Sequence, residues 1–390
     1  MSDKKSRQII RRAKTINPNS IVCAIGCYAQ VAEDDLKKIE DIDIILGTIE
    51  KAKTFEYVDN LLNIKNDKKV FDVNNIMKKM EYCEYNGIGY SNHIRTEVKI
   101  QDGCDRFCSY CIIPYARGPV RSRNKDNILN EIKKLAENGT KEVVITGIHI
   151  SSYGKDFSQN KSDSNYNYEY GLIDLLEEIE QISGIERIRL GSLEPRIITD
   201  DFVNRLTKLS KVCNHFHLSL QSGCNETLMR MNRKYSTEEF LKIVEILRKN
   251  IPEVALTTDV IVGFPGETDE EFNKTFEFLK LVNFSKMHVF KYSKRVGTPA
   301  ATMENQVPED IKEKRSNILI NLSNENENKF LEQYINKKIE VLFENEVEGH
   351  TTNYIKVILD KKNKDISVSN RIISCLAKEY KNGELIVEII

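Results

Sequence analysis

Between Val98 and Lys291, short apolar runs of strand length alternate with amphipathic stretches, which constrains the fold more than any other feature. The strand candidates are Val98–Ile100, Glu142–Thr146, Arg187–Leu190, His215–Leu220, Ala255–Val262 and Met287–Lys291. Helical periodicity marks Asn124–Glu137, Ile173–Ile182, Asp200–Leu209, Thr237–Lys249 and Glu270–Leu281 between them. Strands joined through helices run parallel, because a tight hairpin joins only antiparallel neighbours. The α/β sheet is therefore parallel, either open or curved into a partial (β/α)6 barrel. Polar and glycine motifs repeatedly follow the strand C-termini, where barrel active sites sit, so the partial barrel is expected.

The flanks differ in pattern. Residues 1–85 read as an incomplete α/β domain. A basic helix (Arg7, Arg11, Arg12 and Lys14 among its cations) ends at Asn17-Pro18-Asn19. Strand Ile21–Ile25, a helix around Asp34–Glu40 and strand Ile42–Leu46 follow. A compact α/β domain opens on a strand, and this one opens on a helix, so its beginning is expected to be missing. Residues 65–95, rich in Lys, Asn and Glu, read as a linker. The partial barrel with a connector helix from Pro308 to about Tyr334 occupies 90–333, interrupted by the polar insertion Lys155–Tyr170, expected to be a surface loop. Residues 334–390 change to short alternating segments, Ile339–Phe343, Tyr354–Leu359 and Glu384–Ile389, the pattern of a small β-barrel.

Composition narrows the setting. No apolar run approaches the ~18 residues of a membrane span. The nine cysteines are odd in number and unevenly spread, unlike a secreted disulfide framework, so a cytoplasmic protein with thiolate chemistry is expected. The balance of 58 Lys+Arg against 59 Asp+Glu neither demands nor excludes nucleic acid.

Directly after the first barrel strand comes Cys104-Asp-Arg-Phe-Cys108-Ser-Tyr-Cys111. Three cysteines on one loop can wrap one metal centre. A structural zinc site wants a fourth ligand, and none is near in sequence. A 4Fe–4S cluster on three thiolates leaves one iron open to a substrate or cofactor. A zinc knuckle or incidental buried thiols are the alternatives.

This loop, with Tyr110 before its third cysteine, resembles that of radical S-adenosylmethionine (SAM) enzymes. GCDRFCSYCIIPYARGPVRSR (Gly103–Arg123) is similar to the tRNA methylthiotransferases, most of all to the branch acting on N6-threonylcarbamoyladenosine. Further similar stretches are ITGIHISSYG (Ile145–Gly154), RLGSLEP (Arg189–Pro195), HLSLQSGCNETLMRMNRKY (His217–Tyr235), TTDVIVGFPGET (Thr257–Thr268) and FKYSKRVGTPA (Phe290–Ala300). The resemblance implies a radical SAM partial barrel. It implies tRNA as substrate, an electron donor as partner, no membrane, and insertion of a methylthio group at carbon 2 of the modified adenine. Reductive cleavage of S-adenosylmethionine to a 5′-deoxyadenosyl radical starts the chemistry in that family. Isopentenyladenosine in tRNA is the runner-up substrate, and a non-catalytic tRNA-binding remnant or a zinc-binding module is the reading from another class. A monomer is expected.

Site residues follow from the same resemblance. Cys104, Cys108 and Cys111 would hold the radical 4Fe–4S cluster. The family carries a second 4Fe–4S cluster on three further cysteines, of which only the last matches here, as Cys27; Cys23 is a poor substitute. Gly147 would let backbone approach the cofactor's amino group, and Gly263 and Gly266 would cradle adenine; an ordinary turn is the alternative for each. Glu194 would accept from a ribose hydroxyl or cap a helix. Arg117, Arg121 and Arg123 would contact RNA phosphates, or pair with neighbouring helices. The C-terminal segment resembles a TRAM module, with Tyr354 and Lys356 as RNA-binding candidates. Cys213 and Cys224 have no ligand-like spacing and are expected to be buried structural thiols.

Overall fold

Side chains alternate across a strand, so the burial of every second residue identifies which face of a sheet meets the helices. In this computed structural model, which describes residues 2–64, 69–78, 81–84, 94–157, 170–360 and 366–390, that alternation shows along parts of the outer strands Arg95–Asp102 and Lys286–Lys291, whereas Arg187–Leu190 is buried on both faces. The N-terminal strands are β1 (Cys23–Ile25), β2 (Ile44–Leu46) and β3 (Val70–Asp72). The central ones are β4 (Arg95–Asp102), the two-residue β5 (Arg121–Ser122), β6 (Glu142–Gly147), β7 (Arg187–Leu190), β8 (His215–His217), β9 (Ala255–Val262) and β10 (Lys286–Lys291). β4, β6 and β7 pair in parallel, as do β8, β9 and β10, and bridges Ile188–Val212 and Leu193–Leu218 join the two groups. The result is the expected half-barrel, with β10 as its last strand and Ser323 of the connector helix bonding the Met287 amide and carbonyl on its outer edge.

On the outer face Val98, Ile100, Val143, Ile145, Ile188, Leu190, Phe216, Leu256, Val260 and Met287 share one core with Ile132, Leu176, Phe240 and Leu279 of the helices. Full burial of such side chains contributes about 1.5–3 kcal/mol each. The alternate positions form the concave face and are polar: Lys99, Gln101, Glu142, Arg187, Arg189, His215, His217, Thr257, Asp259 and His288. Local chemistry starts the helices where expected. Asn124 accepts from two first-turn amides, and Ser236 with Glu239 and Thr268 with Glu271 form capping boxes.

The flanks required corrections. β1, β2 and β3 form one parallel sheet over Ala24, Leu36, Ile42 and Ile45, so the stretch read as a linker contributes a strand. The helix Thr54–Ile64 between β2 and β3 carried no separate expectation. Connector helix Glu309–Glu332 starts after Pro308 as expected. Beyond it, β11 (Lys338–Phe343), β12 (Glu348–His350), β13 (Lys356–Leu359), β14 (Ile372–Lys381) and β15 (Glu384–Ile389) close into a barrel in the order β11-β12-β13-β15-β14. The sequence reading had found only β11, β13 and β15 of these. Most of the polar insertion, 158–169, lies outside the described residues. No described helix is long and apolar enough to cross a membrane.

The C-terminal barrel seats on the strand N-termini of the half-barrel. Arg187 donates to the carbonyls of His350 (2.8 Å) and Glu340 (3.3 Å), and Arg189 to those of Thr352 (3.0 Å) and Thr351 (3.1 Å). Arg189 is itself held by buried Glu142 at 2.7 Å.

Candidate active site

The cysteine loop begins where β4 ends, at the C-terminal rim of the half-barrel. Gly103 turns the chain at φ 75°; a Cβ there would fall 1.9 Å from the Pro119 carbonyl oxygen, so no other residue fits without displacing backbone. Backbone bonds then fix the loop. The Cys104 amide donates to Gly118 (3.0 Å), Ser109 to Met231 (3.1 Å) and Cys111 to Cys108 (2.9 Å), while the Ser109 carbonyl accepts from Ala300 (2.8 Å). Tyr110 packs edge-on against Phe264, beside Met231 and Tyr292. Residues from four separate stretches therefore converge on three thiols.

Cys108 is buried, and Cys104 and Cys111 are partly so. Burial pushes the Cys104 thiol up to about 12, with Cys108 and Cys111 adding to the effect; Cys111 is raised for the same reasons. The thiols thus sense one another's charge. Arg233, missed by the sequence reading, donates to the Cys108 sulfur at 3.3 Å. Its other nitrogens donate to Tyr235 Oη (2.9 Å) and the Ser219 carbonyl (3.0 Å). His149 was missed as well. It is partly buried at the same rim, and desolvation followed by Arg106 and Arg233 lowers its pKa to about 3. Only its position two residues after Gly147 could have pointed to it.

Glu194 lies at this rim, buried, 3.3 Å from Arg196 and 3.9 Å from Arg106 of the cysteine loop. The missing side chain of Gly147 accommodates the Gln101 carbonyl, 2.9 Å from where a Cβ would lie. The Gly263 amide donates to buried Glu267 (2.8 Å) and the Gly266 amide to the Asn305 carbonyl (2.9 Å), so both amides have partners within the protein.

The arginines also required correction. Arg121 is buried, 3.7 Å from Asp102, and Arg123 is clamped by Glu84 (2.8 Å) and Glu131. These two side chains serve the fold rather than a phosphate backbone. Arg117 donates to the sulfur of Cys27 at 3.0 Å and lies 3.5 Å from Asp102. Cys27 opens a short helix whose preceding residue, Gly26, has φ 86°. This bond joins the N-terminal sheet to the loop that follows the three thiols. Tyr354 stacks on His350 (4.9 Å) and against His215 (5.0 Å), with Arg189 over its ring at 4.6 Å. Lys356 is half-exposed and paired with Glu384 (2.7 Å) and Glu348 (3.3 Å). Cys213 and Cys224 are buried, as expected of structural thiols.

Comparison with known proteins decides what this loop belongs to. The Radical SAM superfamily model matches residues 98–279. A threonylcarbamoyladenosine tRNA methylthiotransferase, MtaB, of Bacillus subtilis (strain 168) is 41% identical over 366 residues, covering 91% of this chain and 78% of that protein. The chain belongs to the radical SAM tRNA methylthiotransferases. The MtaB of Aquifex aeolicus (strain VF5) is 39% identical over 355 residues, 91% of this chain and 83% of its own. A tRNA-2-methylthio-N(6)-dimethylallyladenosine synthase of Clostridium botulinum (strain Loch Maree / Type A3) is 40% identical over 88% of this chain and 74% of its own.

The cofactors of this methylthiotransferase are a 4Fe–4S cluster and S-adenosylmethionine. The residues at the rim fit the cluster in chemistry: three thiols on one loop with a cationic guanidinium donating to one sulfur. Among the described residues no group of three or more His, Cys, Asp or Glu is arranged to hold a metal ion, so the zinc reading finds no four-donor set. A four-iron cube spreads its thiolates wider than one ion does. Of the thiols that the resemblance assigns to a second cluster, Cys27 is the one matched among the described residues, and it is partly buried.

Proposed function

We propose that this chain is a tRNA (N6-L-threonylcarbamoyladenosine-C2)-methylthiotransferase acting in the cytoplasm, with Cys104, Cys108 and Cys111 as ligands of the radical cluster. The observation that carries this reading is the three-thiol loop at the half-barrel rim of a chain 41% identical to a threonylcarbamoyladenosine tRNA methylthiotransferase. When bound, the cluster supplies the electron that cleaves S-adenosylmethionine reductively. Arg233 holds Cys108 in place and keeps a positive charge beside the thiolates; hydrogen bonds to cluster-bound sulfur are among the levers that set a cluster's potential. Glu194, fixed by Arg106 and Arg196, presents a carboxylate at the same rim. The apolar packing of Tyr110, Phe264 and Tyr292 shields the loop from water on one side.

The working division is an N-terminal methylthiotransferase domain (1–85), the radical SAM half-barrel with its connector helix (90–333) and a TRAM-like barrel (334–390). Cys27 is the residue that would serve the auxiliary cluster. RNA contact by the C-terminal barrel rests on Lys356 and the open part of the Tyr354 ring.

Anaerobic reconstitution followed by assay of 5′-deoxyadenosine tests the reading. The parent chain forms it with reductant and S-adenosylmethionine, and Cys108→Ala does not. Equal product from both would remove Cys108 from the site.

A further inference from the structure

The concave face of the half-barrel holds a cavity of about 310 Å³ that the three-thiol site does not use. Its barrel wall is His215, His217, Thr257, Lys286 and His288, and the C-terminal barrel closes its floor with Asn353 and Tyr354. All five wall residues sit on the polar face of β8, β9 and β10, opposite the apolar positions that meet the helices. The same face of β9 leads up to the active rim. Ile261, four residues beyond Thr257, packs against the same apolar cluster of Met231, Phe264, Tyr292 and Ala300 as Tyr110 of the cysteine loop. At about 3.3 Å per residue the cavity lies roughly 13 Å below that loop, the length scale of an adenine with an extended N6 chain.

The wall is built for polar contacts. His217 is fixed by Thr257 Oγ1 on one ring nitrogen (3.0 Å) and Asp259 on the other (3.2 Å). His288 lies against it, ring centres 5.8 Å apart. Burial and His217 hold His288 below the ordinary histidine pKa, leaving its ring one donor and one acceptor. Lys286, 2.7 Å from Glu327, brings a cation to the same wall. Two residues above His288, toward the rim, Phe290 stands 53% exposed on β10, a free aromatic face on which a base can stack.

Resting on the proposed function, we infer that this cavity receives the N6 substituent of the substrate adenosine and selects a threonylcarbamoyl group over a dimethylallyl group. The two substituents differ in the relevant chemistry. Threonylcarbamoyl brings a urea carbonyl and N–H, a hydroxyl and a carboxylate to donors and acceptors already in place. Dimethylallyl offers five carbons and no polar atom, and would desolvate the His288 ring and the Lys286 ammonium without offering either a hydrogen bond; His217, already bonded on both ring nitrogens, fixes the wall they share. Sites that bond a polar substrate group discriminate strongly against analogues lacking it.

Binding of three synthetic anticodon stem-loops to the full chain tests this, the loops differing only in carrying N6-threonylcarbamoyladenosine, N6-dimethylallyladenosine or adenosine. The threonylcarbamoyl loop is expected to bind at least tenfold tighter than the dimethylallyl loop. His217→Leu and His288→Leu should each bring that ratio toward one. The ratio is read within each variant, so a general loss of folded protein does not imitate the effect. Equal affinity for all three loops, or a ratio unchanged in both variants, overturns the pocket while leaving the tRNA reading standing. Absence of binding by any loop overturns both.

Discussion

At the strand C-termini of the half-barrel polar side chains surround sulfur, whereas at the N-termini they are spent on backbone carbonyls of the C-terminal barrel. Arg233 at the rim gives one bond to a thiol, one to a phenol and one to a carbonyl. Arg187 and Arg189 at the floor reach four carbonyls between them, and Glu142 neutralises Arg189. Rim residues converge from distant stretches of chain onto a loop that is itself fixed by backbone bonds. The two floor arginines alternate on one strand, with Glu142 on the neighbouring one, and staple two parts of the molecule. The difference separates chemistry from assembly along a single sheet, as in closed barrels, where conservation of function at the C-terminal face contrasts with stability at the other.

If that contrast holds, substitutions at the two ends should have different signatures. Cys111→Ala should remove 5′-deoxyadenosine formation altogether and lower bound iron, with little movement of the urea midpoint of the metal-free protein. Glu142→Gln should do the reverse, since it leaves Arg189 buried without its counter-charge. Breaking a buried pair in this way costs about 3–5 kcal/mol. Urea unfolding reads it, and a midpoint equal to the parent's would show that the floor pair does not hold the barrels together.

Acid should act at both ends alike. His149 at the rim and His215 at the floor each have folded pKa values lowered to about 3, chiefly by burial, from an ordinary value of 6.5. Below pH 6.5 the unfolded chain binds two protons that the folded chain refuses, so stability falls as pH drops. The slope approaches roughly 2.7 kcal/mol per pH unit where both unfolded histidines are charged and both folded ones neutral. Urea titrations at stepped pH should show it, and His215→Phe should halve this contribution. Tyr354→Ala should cost less, about 1–2 kcal/mol, for the lost stacking and cation–π contacts. Lys356→Ala should leave the melting temperature unchanged within error, because both its ion pairs are at the surface.

Much of the scaffold was legible because the barrel strands are apolar runs bounded by clear helix starts; Ala255–Val262 matches to the residue. β14 escaped because its inward positions include Cys375 and Ala377, small residues that give weak alternation. The three thiols were legible from spacing alone. Arg121 and Arg123 were not, since what decides their role is Asp102, Glu84 and Glu131, brought beside them only by folding. The partner of the Gly263 amide was hidden for a related reason: Glu267, four residues on, folds back to accept from it.

Closure of the C-terminal barrel by β15 also imposes an order on synthesis. β15 pairs with both β13 and β14, so the barrel that seals the floor is complete only after Ile389 has emerged. Cys111 precedes that residue by 278 positions (389 − 111). At about 5–20 residues per second the ribosome needs roughly 14–56 s to cover the distance. The three thiols are therefore synthesised tens of seconds before the compartment beneath them is closed.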